Sequence, residues 1–184
     1  MRIFGRQYYK PWKSYKSFMG NWEHRLAGVF DCNVDFSGKT ILDAGCNVGI
    51  IDYEIAKRSP AFIHGIDSYW GGINAARHIF HGVDVESRFD VADITNDRKL
   101  RRLLRPSYDI VIMMAVWQHI RTARGQAVAD RVVATLAEHC TGVFIVRIKE
   151  SMSNEFLAVM RRQGFRVAYE DGDLARRLIT FVKA

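Results

Sequence analysis

An α/β sheet wound on both faces is the fold class that this sequence predicts, and three observations carry it. Strand-length apolar runs alternate with helical patterns five times, which implies parallel strands joined by crossover helices. The run YDIVIMMAV, residues 108–116, is almost continuously apolar, as a strand covered on both faces should be. The last two runs are separated only by Asp171-Gly172-Asp173 and its neighbours, too little chain for a crossover, so the sheet should close with an antiparallel pair.

In chain order, an aromatic-rich segment at about 14–30 reads as a helix. The turn SGKT then leads into a strand at 41–44, and a helix at 50–57 is stopped by Ser59-Pro60. AFIHGID (61–67) is the second strand and GGINAARHIF (71–80) the second helix. VESRFDVADI (85–94) is the third strand, with a basic helix at 96–104 behind it. After the 108–116 strand comes one long helix at about 123–138. GVFIVRI (142–148) is the fifth strand and 154–162 a helix; GFRVAYE (164–170) and RRLITFVKA (176–184) form the closing pair. No internal repeat, low-complexity tract or linker breaks this order. The chain reads as one domain, 37–184, behind an N-terminal helical extension, 1–36.

Composition narrows the class. With 48% hydrophobic residues, 26% charged residues and three prolines, the 184-residue chain can bury a core and is not a disordered segment. No apolar run approaches the ~20 residues needed to span a bilayer. The basic N-terminus lacks a continuous apolar stretch, so no secretory signal is expected. Cys32, Cys46 and Cys140 are odd in number and have no CxxC spacing, which argues against a disulfide framework or a metal cage. A cytoplasmic, enzyme-sized domain without a metal is expected. The net charge of +7 gathers at residues 2–16 and 98–105. Such patches attract nucleic acid, acidic substrates or anionic membrane. For 98–105 the preferred reading is a solvated helix face, with Leu100, Leu103 and Leu104 turned inward.

The chemistry concentrates in TILDAGCNVGIIDYEIAKR, residues 40–58, because ligands of open α/β sheets sit at the carboxyl ends of the strands. A P-loop is excluded, since no Gly-Lys follows Gly45. A GxGxxG dinucleotide fingerprint would fall on Gly45, Asn47 and Ile50, two of which are not glycine. The remaining pattern is acid-x-Gly-x-Gly-x-Gly, met by Asp43 to Gly49 with Asn47 in place of the middle glycine. Asparagine tolerates left-handed backbone better than most residues.

This stretch resembles motif I of the class I S-adenosylmethionine-dependent methyltransferases, and the likeness in element order extends over residues 37–184. The resemblance implies a seven-stranded Rossmann-like sheet, mainly parallel, doubly wound, with the C-terminal antiparallel pair. It implies S-adenosyl-L-methionine as cofactor, which carries no phosphate and suits a turn beside an acid. By the same resemblance Asp67 would hold the ribose hydroxyls and Asp93 the adenine amino group. The cofactor-binding set would be Asp43, Gly45, Cys46, Asn47, Gly49, Asp67, Ser68, Asp93, Ile94 and Met114. Competing roles are helix capping for Asp43 and Asp67, and a turn for Asp93. Cys46 is read as turn filler rather than nucleophile, with no histidine close in sequence to activate it.

The acceptor end should lie beyond the fourth strand, in MMAVWQHIRTARG, residues 113–125. Ala115-Val116-Trp117-Gln118 is not the [DNS]-P-P-[YF] motif of amino-methyltransferases. The stretch resembles the x-E-H-[IVL] loop of small-molecule and lipid O-methyltransferases, with Gln118 replacing the glutamate. His119 is therefore the candidate general base, histidine being the side chain that ordinarily titrates near neutrality. A structural histidine is the alternative. Trp117 walls the pocket or, preferably, packs in the core, and Arg147 is read as an ordinary edge-of-sheet arginine rather than an anion ligand. Tyr53 and Lys57 mimic a YxxxK pair too early in the chain to serve a dehydrogenase. In the extension Tyr8, Tyr9, Trp12, Trp22 and His24 either lid an acceptor or pack onto the domain, with Lys10, Lys13 and Lys16 supplying charge.

The expected function is methylation of a small-molecule, glycan or lipid-linked acceptor, on oxygen. The alternatives are an RNA methyltransferase or phosphate-capping enzyme, with nucleic acid the less favoured partner, and a catalytically silent cofactor-binding module. The sequence says nothing of oligomeric state.

Overall fold

Successive residues of a strand point to opposite faces of a sheet, and here both sets are apolar. In the computed structural model, which describes residues 28–171 and 176–184, this gives one sheet with a core on each face. The elements are β1 (Thr40–Ala44), α1 (Ile50–Ala56), β2 (Phe62–Asp67), α2 (Trp70–Ile79), β3 (Glu86–Val91), α3 (Asp97–Leu103) and β4 (Tyr108–Met114). They continue with α4 (Trp117–Arg124), α5 (Gln126–Glu138), β5 (Cys140–Lys149), α6 (Ser153–Arg162), β6 (Phe165–Asp171) and β7 (Arg176–Lys183).

The strand order is β3-β2-β1-β4-β5-β7-β6, parallel from β3 through β5. β7 inserts between β5 and β6 and runs antiparallel to both. The order reverses between β1 and β4, which opens a crevice at their carboxyl ends. These two strands are pinned at their other ends. Thr40 donates its backbone N–H and its hydroxyl to Asp109 Oδ2 at 2.8 Å each, and its Oγ1 accepts from the Asp109 N–H at 3.1 Å.

Ile41, Ile63, Ile110, Ile112 and Ile145 face α1 and α2 with Ile55, Ile73 and Ala76. Leu42, Ile66, Val111, Met113, Phe144 and Val146 face the other side with Trp117, Val133, Leu136 and Phe156. Each fully buried Ile or Leu side chain is worth roughly 1.5–3 kcal/mol of transfer free energy. His64 is the polar exception within β2. Its ring bonds the Tyr108 hydroxyl at 2.6 Å and Asp90 at 2.9 Å, so no unmet nitrogen remains.

Three expectations need correction. The single helix at 123–138 is two, because Gly125, at φ +89°, ψ +162°, breaks the ladder between α4 and α5. The stretch 117–124, read as a loop, is α4. Arg147 is not at a sheet edge: β5 lies inside the sheet, and the side chain is buried. The proposed helix at 14–30 and the aromatic and lysine side chains assigned to a lid lie outside the described residues, except 28–30. Those three form a turn in which the Asp31 N–H donates to the Gly28 carbonyl. Val29 of this turn and Cys32 and Phe36 of the stretch that follows are buried in the α1/α2 face of the core. The basic helix α3 behaves as expected. Leu100 is buried, Leu103 and Leu104 pack against the core, and Arg101 pairs with Asp97 and Glu138.

Candidate cofactor and acceptor site

The crevice holds a cavity of about 380 Å³, within the usual range for small-ligand sites. Its floor is the turn after β1. Gly45, Asn47 and Gly49 all have left-handed backbone, at φ +93°, +53° and +70°. Asn47 thus occupies the middle-glycine position in the conformation that glycine would take, as its side-chain chemistry allows. Gly45 is required twice over, because a Cβ there would collide with the Val116 side chain. Gly72 of α2 also comes close, since a Cβ there would meet the Asn47 carbonyl at 2.9 Å.

The carboxylates end adjacent strands. Asp67 Oδ2 accepts the Asn47 N–H at 2.9 Å and Oδ1 accepts the Tyr69 N–H at 2.8 Å. It therefore ties the glycine turn to β2 while each oxygen keeps a free lone pair toward the cavity. Asp93 Oδ1 accepts the N–H and the hydroxyl of Thr95 at 2.9 and 2.7 Å, and Oδ2 lies 3.8 Å from Arg124. Partial burial raises the Asp93 pKa, but the Thr95 hydrogen bonds and the Arg124 charge outweigh it and hold the carboxyl below its ordinary value. The turn reading of Asp93 and its place on the cavity wall are thus both realised. Asp67 bonds the N–H of Tyr69, the N-cap residue of α2, and caps none of the helix's own N–H groups, so the capping reading is not met.

Ser68, Ile94 and Met114 line the cavity with these acids, and Ile66, Ala92 and Ile120 add apolar wall. Asp43, at the end of β1, and Cys46 and Gly49, within the turn, do not line it. Asp43 is 1% exposed and its Oδ1 has no donor among the described residues. The Cys46 thiol is also buried, and burial with the neighbouring carboxylates pushes its pKa well up, so it is not a thiolate nucleophile.

Sequence reasoning missed most of the fourth wall. α4 turns His119, Ile120, Ala123 and Arg124 to the cavity, an i, i+1, i+4, i+5 spacing that the heptapeptide HIRTARG carries openly. Trp117 and Gln118 face inward instead, and Trp117 packs edge-on against Phe156 at 5.4 Å. The core reading of Trp117 therefore holds. β4 enters α4 through Ala115, a non-glycine residue at φ +61°, which costs about 1–2 kcal/mol and aims Val116 at Gly45. Asp52 was also missed. It sits in the first turn of α1, fully buried, flanked in sequence by Ile50, Ile51 and Ile55.

The profile of a family described as "Methyltransferase domain" matches residues 41–139, more than half of the chain and every wall of this cavity. The chain belongs to that family. S-adenosylmethionine is the family's cofactor. The fold agrees with the class I methyltransferases. A TehB-like S-adenosylmethionine-dependent methyltransferase from Corynebacterium glutamicum superposes with a TM-score of 0.71 over 98% of both chains at 17% identity. The magnesium protoporphyrin IX methyltransferase of Synechocystis PCC 6803, solved with S-adenosylmethionine bound, gives 0.69 at 19% identity over 88% of this chain and 77% of that one. By sequence, a ubiquinone biosynthesis O-methyltransferase of Neisseria meningitidis serogroup C is 32% identical over 94 residues. That match covers 49% of this chain and 37% of the Neisseria protein.

The residues fit the cofactor. Two rim carboxylates suit hydroxyl and amino donors, the Ile66, Ile94 and Ile120 side chains suit a flat purine, and among the described residues no lysine or arginine lines the glycine turn to receive a pyrophosphate. Among the described residues no three His, Cys, Asp or Glu side chains gather to hold a metal, and no helix is long and apolar enough to cross a membrane.

Proposed function

We propose that this family member methylates a hydroxyl oxygen of a small-molecule, glycan or lipid-linked acceptor, with His119 as general base. The observation that carries the reading is the place of His119. It is exposed on the cavity face of α4, one wall of the same cavity as Gly45, Met114 and Ala115.

Bound S-adenosylmethionine supplies an electrophilic methyl group on a sulfonium. The residues of this chain do the rest. The Gly45–Asn47 backbone and Asp67 hold the cofactor in place, and Asp93 reads its base. Met114 and Val116, which line the cavity beside Gly45, keep water from the reacting end. His119 takes the proton of the acceptor hydroxyl as its oxygen becomes a nucleophile, which is worth typically 10²–10⁴-fold in rate. Gln118 is buried behind α4 and does not pair with His119, so the base works without a carboxylate partner from its own loop. The Neisseria relative is an O-methyltransferase of ubiquinone biosynthesis, which supports an oxygen acceptor.

The test is single-turnover transfer of labelled methyl to a panel of phenols, sugars, lipid-linked glycans and RNA. Transfer to a hydroxyl that His119→Ala loses and added imidazole restores would support the reading. Transfer to RNA alone, with affinity falling steeply with salt, would replace it with nucleic-acid methylation. Cofactor binding without transfer to any acceptor would leave a silent module.

A further inference from the structure

A chain of polar groups crosses the sheet within its apolar core, and none of them lines the cavity. His64, in the middle of β2, is 0% exposed, and its two ring nitrogens are held from two other strands. Nδ1 lies 2.6 Å from the Tyr108 hydroxyl on β4, and Nε2 lies 2.9 Å from Asp90 Oδ2 on β3. The Arg105 N–H donates to the same hydroxyl at 3.0 Å, and Arg88 Nε reaches Asp90 Oδ2 at 2.7 Å.

These contacts place the hydrogen on the ring. The Tyr108 hydroxyl accepts from Arg105, so its own hydrogen goes to His64 Nδ1. Nδ1 therefore carries none, and the Nε2–H donates to the Asp90 carboxylate. Burial lowers the His64 pKa, with the Arg88 and Arg105 charges adding to it, and outweighs Asp90, so the ring is neutral at pH 7. Burial also raises the Tyr108 pKa, and the phenol keeps its hydrogen. Every hydrogen in the chain points the same way, toward Asp90.

β3 needs such an anchor. It is an edge strand, paired only with β2, and Phe89 alone of its six residues is buried. Phe89 and Val91 pack on the α1/α2 face of the sheet, while the other face of the strand presents Arg88 and Asp90. With so little apolar surface, burial specifies the register of this strand only weakly, and a slip of one residue would turn every side chain over. In the observed register Arg88 stands opposite His64 and Val91 opposite Asp67. A one-residue slip would carry the Asp90 carboxylate to the far face, away from His64. From α2, Arg77 Nε adds a second anchor by donating to the Phe89 carbonyl at 2.9 Å.

Resting on the reading of Asp93 as the adenine contact, we propose that His64 is a positioning residue for cofactor recognition, pinning β3 through Asp90 so that Asp93 stands beside Asp67. The path is short. Val91 pairs with Asp67, the Ala92 N–H donates to the Asp67 carbonyl at 2.9 Å, and Asp93 follows in its Thr95-bonded turn. A buried polar trio adds little net stability over apolar side chains of similar volume; what it adds here is a single register. The ribose acid and the adenine acid come from different strands. Their spacing, and with it the preference for a 6-amino purine, is set by that register.

The probes are S-adenosylhomocysteine and its 6-oxo counterpart, S-inosylhomocysteine, titrated calorimetrically into the full chain. A carboxylate at Asp93 accepts from the amino group and repels the oxo group, so the wild type should prefer the former by about 10–100-fold. Asp93→Ala should abolish most of that preference. Asp90→Val should do the same, whereas Asp90→Asn, which keeps an acceptor for the His64 N–H, should retain it. A merely structural loss lowers both affinities together and leaves their ratio. If Asp90→Val melts early because that N–H is left buried and unpaired, the triple variant His64→Leu, Asp90→Val, Tyr108→Phe removes all three partners; it should fold and still lose the preference. Nitrogen-15 spectra of the wild-type His64 ring at pH 7 should show Nε2 protonated and Nδ1 bare. Wild-type preference in Asp90→Val and in the triple variant, or a proton on Nδ1, overturns the inference, and its loss in Asp93→Ala then leaves the adenine reading standing. A wild type without the preference, or an Asp93→Ala protein that keeps it, overturns both.

Discussion

The two sides of the cavity are built differently. On the β1–β3 side each carboxylate is fixed by short hydrogen bonds to its own backbone neighbourhood: Asp67 by Asn47 and Tyr69, Asp93 by Thr95. On the α4 side His119 makes no side-chain hydrogen bond among the described residues, and Arg124 reaches Asp93 only at 3.8 Å. The first side is organised before any ligand arrives, as an invariant partner permits. The second is a helix face whose side chains can adjust to whatever is methylated. A fold can keep one ligand site rigid and vary the other because the rigid one is locked by main-chain geometry at strand ends.

That contrast can be broken or sharpened by substitution. The largest effect is expected at His119, where His119→Ala should lower single-turnover methyl transfer by about 10²–10⁴-fold. Its affinity for S-adenosylhomocysteine, read by calorimetry, should stay within about twofold. A comparable loss of cofactor affinity would move His119 to the rigid side. Next comes Asp67→Ala, which removes the acceptor of the Asn47 N–H as well as the proposed ribose contact. Two charged hydrogen bonds at roughly 1.5–3 kcal/mol each imply a loss of affinity of about 100-fold or more. Asp67→Asn, which keeps one acceptor oxygen, should recover part of it.

Gly45→Ala should destabilise the fold by about 1–3 kcal/mol in denaturant titration, since both its φ of +93° and Val116 oppose a Cβ. The double variant Gly45→Ala, Val116→Ala should regain the packing share but not the backbone share. A smaller, pH-dependent effect follows from Asp52. Its pKa rises from 3.8 to about 7 on folding, so the folded protein binds the proton more tightly than the unfolded chain. The wild type therefore loses stability as pH climbs from about 4 to 7, and Asp52→Asn should lose less, Asp43 still contributing its share. The variant's advantage in Tm, largest above neutrality, should shrink as the pH falls toward about 4. Arg124→Ala should be smallest, changing cofactor affinity only a few-fold, because an exposed 3.8 Å pair is worth about 0–1 kcal/mol.

What could be read from the chain and what could not divides along physical lines. The strands were legible because their runs are bounded by turns and buried on both faces, which leaves an unambiguous apolar signature from Ile41 to Phe181. The glycine turn and the acids at 67 and 93 were legible because backbone conformation and strand ends are local properties, written in residues next to one another. The insertion of β7 between β5 and β6 was not, since nothing local says which partner a strand chooses. Nor was α4, whose eight residues are too few for periodicity to outweigh a loop reading, and which is held by Trp117 on Phe156, a contact with a helix far along the chain.

Asp43 and Asp52 show the limit most clearly. By itself the sequence determined that an acid, a left-handed turn and a helix follow one another, and that this order belongs to a sheet with a crevice at its carboxyl edge. Only the tertiary structure decided which acids face the cavity and which are sealed beneath it. Burial is a sum over elements distant in the chain, and it is burial that pushes the pKa values of Asp43 and Asp52 above the ordinary carboxylate range.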